Sequence, residues 1–202
     1  KLFNDGLTTA GFKGTVQFAK RGVTEQQNQI TALIEMGAKV LTVGAIDGSQ
    51  LGTQLAAAKQ AGITVIAYDR LLTNTPDVDY YVAFDNYKVG VLQGTALLDG
   101  LKARKGDKTK WNVELMAGSP DDNNAKVFFD GAMSVLQPKI DDGTLTVLSK
   151  QTSFEQVVTQ GWKAENAQKR FDTVLSASYP GDTALDGVLS PNDTLARAII
   201  TS

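Results

Sequence analysis

The side chains with most chemistry to offer lie just beyond short β-rich runs. Asp69 and Arg70 follow Thr64–Tyr68. Asp122 and Asn124 lie in Ala117-Gly-Ser-Pro-Asp-Asp-Asn-Asn124, which follows Asn112–Met116. Trp162 comes after the loop that leaves Leu145–Ser149, and Asn192 lies in Ser190-Pro-Asn-Asp193 after Gly187–Leu189. Carboxylates accept hydrogen bonds from hydroxyls, a guanidinium donates a fixed fork of N–H groups, and a carboxamide does both. An indole adds flat apolar area at low entropic cost. A sugar calls for this combination, because its hydroxyls donate and accept while its C–H faces are nearly apolar. Each satisfied charged hydrogen bond in a dehydrated cleft contributes ~1.5–3 kcal/mol. Several together reach micromolar affinity, roughly −8 kcal/mol.

Other chemistries are excluded by composition. The 202 residues contain no histidine and no cysteine. That removes Ser-His and Cys-His nucleophilic dyads, thiol redox chemistry and the usual zinc sites. No D-x-[DN]-x-[DN]-G loop marks a calcium site, and no cofactor is implied. Lys and Arg number 20 against 22 Asp and Glu, a net charge of −2, which argues against a general nucleic-acid or anionic-membrane binder. No run of 18 apolar residues is present to span a membrane. Paired carboxylates such as Asp69 and Asp122 leave a glycosidase open, since such enzymes need two carboxyl groups ~5–9.5 Å apart. No glutamate stands at the end of a strand run, which weakens that alternative.

The elements that must position these groups alternate in a regular way. Strands are predicted at Thr15–Ala19, Val40–Val43, Thr64–Tyr68, Tyr80–Phe84, Asn112–Met116, Leu145–Ser149 and Gly187–Leu189, short and rich in β-branched and aromatic residues as buried parallel strands are. Helical spacing lies between them. Thr24-x-x-Gln27 reads as a capping box ahead of Ile30, Leu33 and Ile34, with Gly37 as the stop. Ser49 reads as the cap of a helix carrying Leu51, Leu55 and Ala58 and ending at Gly62. Val89, Leu92 and Ala96 mark a third helix, Phe128, Ala132 and Val135 a fourth, and Ala164, Ala167 and Phe171 a fifth. Strand–helix–strand units of this kind predict an α/β fold with parallel sheets and right-handed crossovers. Ligands in such sheets bind beyond the carboxyl ends of the strands.

The rhythm breaks over Leu71–Asp79, a polar stretch containing Pro76. A lobe boundary is placed there, giving an N-terminal lobe of residues 1–84 and a C-terminal lobe of 85–202 joined by crossing strands. Lys1–Ala10 reads as the second half of a helix, and Asp193–Ser202 as a short helix that leaves Ile199 and Ile200 little cover. Both ends are therefore expected to be parts of a longer protein.

Each candidate has a plainer reading. Asp69 and Arg70 also read as a surface ion pair. One of the four residues Asp121–Asn124 caps the following helix, with Asp121 or Asn123 expected in that role and Asp122 and Asn124 left for ligand. Trp162 alternatively packs between elements, and Trp111, at a strand start, is read as packing. Lys126 is a helix-surface charge, and Phe128 and Phe129 belong to the core. Gly44-Ala-Ile-Asp-Gly48 is an ordinary strand–helix loop.

Several of these motifs carry a resemblance. Tyr68-Asp-Arg70, Phe84-Asp-Asn86, Gly118-Ser-Pro-Asp-Asp-Asn-Asn-Ala-Lys126, Gly161-Trp162-x-x-Glu165-Asn-Ala167 and Asn192-Asp193 resemble, in order and over the whole chain, the xylose and multiple-monosaccharide binding proteins of bacterial ABC importers. These are ribose/galactose-type periplasmic binding proteins. The resemblance implies two Rossmann-like lobes joined by a hinge, incomplete here at both ends, that close on one monosaccharide and deliver it to an ABC permease. It implies substrate contacts at Asp69 and Arg70 from the first lobe and at Asp122, Asn124, Trp162 and Asn192 from the second, with no catalytic, cofactor or metal residues. It further implies a chemoreceptor as a second partner, no nucleic acid, and an extracytoplasmic location. That location is the periplasm or, in a Gram-positive bacterium, a lipid anchorage on the outer face of the membrane. The same fold also serves as the effector-sensing core of LacI-type transcription regulators, and that is the alternative reading.

Overall fold

The structure is a computed structural model that describes residues 2–105 and 108–202. The backbone forms two compact units. One runs up to Tyr68 and takes in Leu72–Tyr81; the other comprises Asp69–Leu71 and Val82–Ser202. The chain thus divides at Tyr81 rather than at Phe84, and Asp69 and Arg70 group with the second unit. Among the described residues no helix is long and apolar enough to cross a membrane.

The first unit contains α1 (Leu2–Thr9), α2 (Val23–Glu35), β1 (Val40–Val43), α3 (Gly52–Gln60), β2 (Thr64–Tyr68) and most of β3 (Tyr80–Val82). Strand order is β1-β2-β3. β1 and β2 are parallel, with Val40 opposite Thr64 and Val43 opposite Ala67. Alternation sends Leu41, Val43, Val65 and Ala67 inward against Ile30, Leu51, Leu55 and Ala58, which is the period-2 pattern meeting the helical one. Asp79 latches the sheet to α3. Its Oδ2 accepts from Val65 N at 2.9 Å and its Oδ1 from Lys59 Nζ at 3.0 Å.

Several local expectations are corrected in this unit. Thr15–Ala19 forms no strand; it has no regular structure and is mostly exposed. Phe18 O accepts instead from Gln29 Nε2 and from Lys20 N. Thr24 does not cap α2, because the helix begins after Gly22, whose φ is 98°. The start is served by Glu25, whose Oε2 accepts from Arg21 N at 2.7 Å. Ser49 caps nothing either. It donates to Asp47 Oδ1 at 2.7 Å, and α3 follows Leu51 without a side-chain cap. Gly37 and Gly62 stop α2 and α3 as read, at φ 79° and 70°, a conformation glycine adopts without steric cost. The helix expected over Lys1–Ala10 is α1, and Lys1 lies outside the described residues.

The second unit contains α4 (Asn86–Lys105), β4 (Trp111–Leu115), α5 (Asn123–Asp141), β5 (Leu145–Thr146), α6 (Phe154–Val157), a single 3-10 turn (Gln160–Trp162), α7 (Ala164–Ser178), β6 (Gly187–Leu189) and α8 (Asp193–Ile200). The sheet order is β5-β4-β6, all parallel, with Leu115 opposite Leu189. β5 is shorter than expected because Lys150 N turns back to Val147 O. The core joins Val113, Leu115, Ala125, Phe129, Leu136 and Leu145, and Trp111 packs into it as read. A second cluster sets Phe171 of α7 against Leu195 and Ile199 of α8. Ile199 is thus covered, against expectation, while Ile200 is exposed.

α4 approaches α5 most closely at glycines, while Leu97, Leu98 and Leu101 further along α4 pack on the core. A Cβ on Gly90 would lie 2.0 Å from Phe128 O, and one on Gly131 would lie 2.1 Å from Tyr87 O. Leu92 and Ala96, expected on the buried face, are exposed. The two backbones approach too closely for side chains, so a reading weighted by bulk selects the wrong face.

Candidate ligand-binding site

β4 and β6 are adjacent and parallel, so the chain leaves both at the same edge of the sheet. Asp122 and Asn192 lie beyond those two ends. Asp122, not Asp121 or Asn123, is the N-cap of α5: its Oδ1 accepts from Asn124 N at 3.0 Å. An aspartate there satisfies an orphan N–H and sits favourably in the helix dipole. The cap leaves its other oxygen free for different work. Oδ2 accepts from Trp162 Nε1 at 3.1 Å and pairs with Arg70 Nε at 3.1 Å. Arg70 is therefore tied to Asp122, whose side chain is 6% exposed.

Asn124, two residues further on in the first turn of α5, is buried. Its Nδ2 donates to Asp69 O at 2.9 Å, and its Oδ1 accepts from Asn86 Nδ2 at 2.7 Å. Asp69 has φ 64°, a left-handed conformation for a non-glycine residue, and its N–H donates to Val82 O. These bonds account for the grouping of residues 69–71 with the second unit. The side chain of Asp69 is left exposed at the turn.

Trp162 closes the arrangement. It follows Gly161, and both have positive φ, 56° and 66° respectively. A left-handed tryptophan costs about 1–2 kcal/mol of backbone strain, so the surroundings must hold it. Trp162 N donates to Thr159 O, and Thr159 N to Gly118 O. The indole is partly buried against two apolar clusters. Burial pushes the Asp122 carboxyl above the usual aspartate range, while Arg70, Asn124 N and Trp162 pull the other way and Asp69 adds slightly to the rise.

Five of the six residues singled out in the sequence thus meet through hydrogen bonds and one ion pair. Asn192 stands apart from that network as the N-cap of α8, its Oδ1 accepting from Leu195 N at 2.9 Å. The next loop residue back, Pro191, is braced through its carbonyl by Gln93 Nε2. Lys126 is a surface charge paired with Asp130 at 2.7 Å, and Phe129 is core. Sequence reasoning missed Asn86, whose carboxamide orients Asn124, and Glu114, one residue short of the end of β4. Glu114 is fully buried and accepts from Ser149 Oγ at 2.6 Å and Tyr179 Oη at 2.8 Å. A polar residue inside an apolar strand was the available signal for it.

The site's chemistry suits a small polyol. A buried carboxylate, a guanidinium, two carboxamides and an indole offer acceptors, donors and a flat apolar face. Relatives bear on this. The chain is 48% identical over 196 residues to the multiple sugar-binding periplasmic receptor ChvE of Rhizobium radiobacter, covering 97% of this chain and 55% of that protein. It is 39% identical to the D-xylose-binding periplasmic protein of Escherichia coli, covering 98% of this chain and 55% of that one. A solved solute-binding protein of an ABC transporter from Clostridium phytofermentans, with bound β-D-glucose, superposes with a TM-score of 0.92 at 43% identity, over 98% of this chain and 61% of that chain. The chain therefore spans about half the length of the curated relatives it matches; the two named here are periplasmic proteins, and an extracytoplasmic location fits. The family model described as periplasmic binding protein domain matches residues 1–202, and with the α/β parallel-sheet architecture above, the chain belongs to the periplasmic binding protein family and has its type I fold.

Proposed function

We propose that this chain is the ligand-holding portion of a solute-binding protein that captures a monosaccharide of the xylose or glucose type and delivers it to an ABC sugar importer. The observation that carries the proposal is the Asp122 carboxylate shared between Arg70 and Trp162, beside Asn124, at the carboxyl edge of the second sheet. Asp69, Arg70, Asp122, Asn124, Trp162 and Asn192 are the proposed contacts. Sugar hydroxyls exchange with the bonds these groups make to one another, and the indole meets a C–H face of the ring. The reading is binding without turnover, so chromogenic glycosides are expected to remain uncleaved. It places the protein in the periplasm or, lipid-anchored, on the outer face of the membrane, with the permease as partner and a chemoreceptor as a second one. The proposal includes lobe closure on the sugar, which favours the closed form by differential affinity. The relatives named above are sugar receptors and binding proteins, which supports transport over the regulator alternative.

Calorimetric titration of the full-length protein with a panel of aldoses and ketoses tests this. At least one sugar is expected to bind at micromolar affinity or better, with Arg70→Ala and Trp162→Ala each losing most of it. No binding across the panel, or full affinity in both variants, refutes the proposal.

A further inference from the structure

The segment between β4 and α5 is zipped to the segment that precedes α7. Ala117 N donates to Val157 O at 2.9 Å, Thr159 N to Gly118 O at 3.1 Å, and Gly161 N to Ser119 Oγ at 2.7 Å. Ala117, Ser119 and Thr159 are all buried. Gly118 lies against the indole of Trp162. A Cβ built there would stand 2.0 Å from Trp162 Cη2, 2.2 Å from Cζ2 and 2.5 Å from Cζ3. Real Cβ atoms never come so near, so any side chain at Gly118 displaces the ring. Through Nε1 the same indole donates to Asp122 Oδ2. The ring is thus stopped by Gly118 at its six-membered portion and held by Asp122 at Nε1. Ser119 meanwhile fixes the Gln160–Gly161 peptide, one residue ahead of Trp162.

We propose that Gly118 and Ser119 are positioning residues that set the depth and tilt of the Trp162 indole, and through it the affinity and selectivity for sugars, without touching the sugar. The proposal rests on the reading of Trp162 as a ligand contact. Gly118 defines how far the ring sits toward the sheet, and Ser119 holds Gly161 and Trp162 in consecutive left-handed conformations. A residue that touches no ligand thereby controls the height of the apolar floor. Sugars with and without an exocyclic hydroxymethyl group should feel that height differently.

The test uses the full-length protein and two probes, D-glucose and D-xylose. Calorimetry is run on the parent, Gly118→Ala, Ser119→Ala, Trp162→Ala and the Gly118→Ala/Trp162→Ala double variant. The indole N–H resonances of Trp111 and Trp162 are followed by NMR without sugar. Gly118→Ala is expected to lose at least tenfold in affinity and to change the ratio between the two probes. On a Trp162→Ala background the same substitution is expected to cost less than twofold, because its effect passes through the ring. The Trp162 resonance should move in both single variants while that of Trp111 stays. Should Gly118→Ala fail to fold, Ser119→Ala carries the same spectroscopic prediction. An unmoved Trp162 resonance, or an undiminished cost of Gly118→Ala on the Trp162→Ala background, overturns the proposal. If the parent binds neither probe, the functional reading fails, and the resonance shift still decides the positioning.

Discussion

Asp122→Asn separates the two jobs of one side chain. The aspartate accepts from Asn124 N on Oδ1 and from Arg70 and Trp162 on Oδ2. A carboxamide of the same shape keeps an oxygen for Asn124 N, and asparagine caps a helix about as well as aspartate. Its Nδ2 then faces two donors and can accept from neither. Two charged hydrogen bonds are lost at ~1.5–3 kcal/mol each, discounted because the Arg70 side chain is 24% exposed and water recovers part of its share. The net cost to the site is about 2–4 kcal/mol, which at ~1.4 kcal/mol per decade is a roughly 30- to 1,000-fold loss of sugar affinity. Fold stability should also fall, since Arg70 and Trp162 lose their shared acceptor in the sugar-free protein, although the cap survives and the burial cost of the charge disappears. Asp122→Ala should lose the affinity and also ~1 kcal/mol of stability with the cap. Calorimetric titration gives the first quantity and thermal melting of the same samples the second. Sugar affinity within threefold of the parent in Asp122→Asn would refute the assignment of the carboxylate to the ligand.

The same carboxyl predicts a pH dependence. Burial raises its pKa against the opposing pull of Arg70, so it protonates above the usual ~3.9 of an aspartate. Its contribution to fold stability is fully present below the unfolded value and is lost as pH rises through the folded one. Sugar affinity runs the opposite way and falls with acidification, a dependence that Asp122→Asn abolishes; titrations at a series of pH values read both. Asn192→Asp retains the acceptor for Leu195 N and removes the Nδ2 donor, so affinity should drop by about tenfold, one charged or neutral hydrogen bond, with an unchanged melting temperature; equal affinity makes Asn192 a cap alone. Tyr179→Phe deletes a buried donor to Glu114 and should cost ~1–2 kcal/mol in urea unfolding while leaving sugar affinity intact. Gly90→Ala forces a methyl into Phe128 O and should destabilise by ~1–3 kcal/mol, read by the same unfolding curves.

What the sequence discloses and what it withholds follow a physical line. β1, β2 and β6 match the β-rich runs residue for residue, because side-chain type and length mark a buried parallel strand. Thr15–Ala19 has the same composition and forms no ladder. Strand formation also needs a partner, and a partner is not written in the strand's own residues. Helix bodies were legible from spacing, but the caps were not. Thr24 has the right chemistry but stands inside α2, Ser49 stands two residues ahead of the residue that precedes α3, and Asp122 rather than its acidic and amide neighbours caps α5. The glycine seam between α4 and α5 was hidden because close backbone approach leaves no apolar bulk to count.

The candidate site shows the same division, since residue types were readable and wiring was not. Capping and ligand contact stand as alternatives in the sequence reading of Asp121–Asn124, as if one side chain could do only one. The structure removes that opposition. Asp122 spends Oδ1 on the helix and has Oδ2 for Arg70 and Trp162, and Asn192 spends Oδ1 on Leu195 N. A cap has to stand at the first turn of a helix, and in a parallel α/β sheet that turn is where the carboxyl end of a strand delivers the chain. The cap holds the side chain in one rotamer, so the entropy of fixing it is already met by helix formation when a ligand arrives. Polar caps at strand ends are for this reason better ligand candidates than freely mobile residues of the same type, and the fold itself selects them.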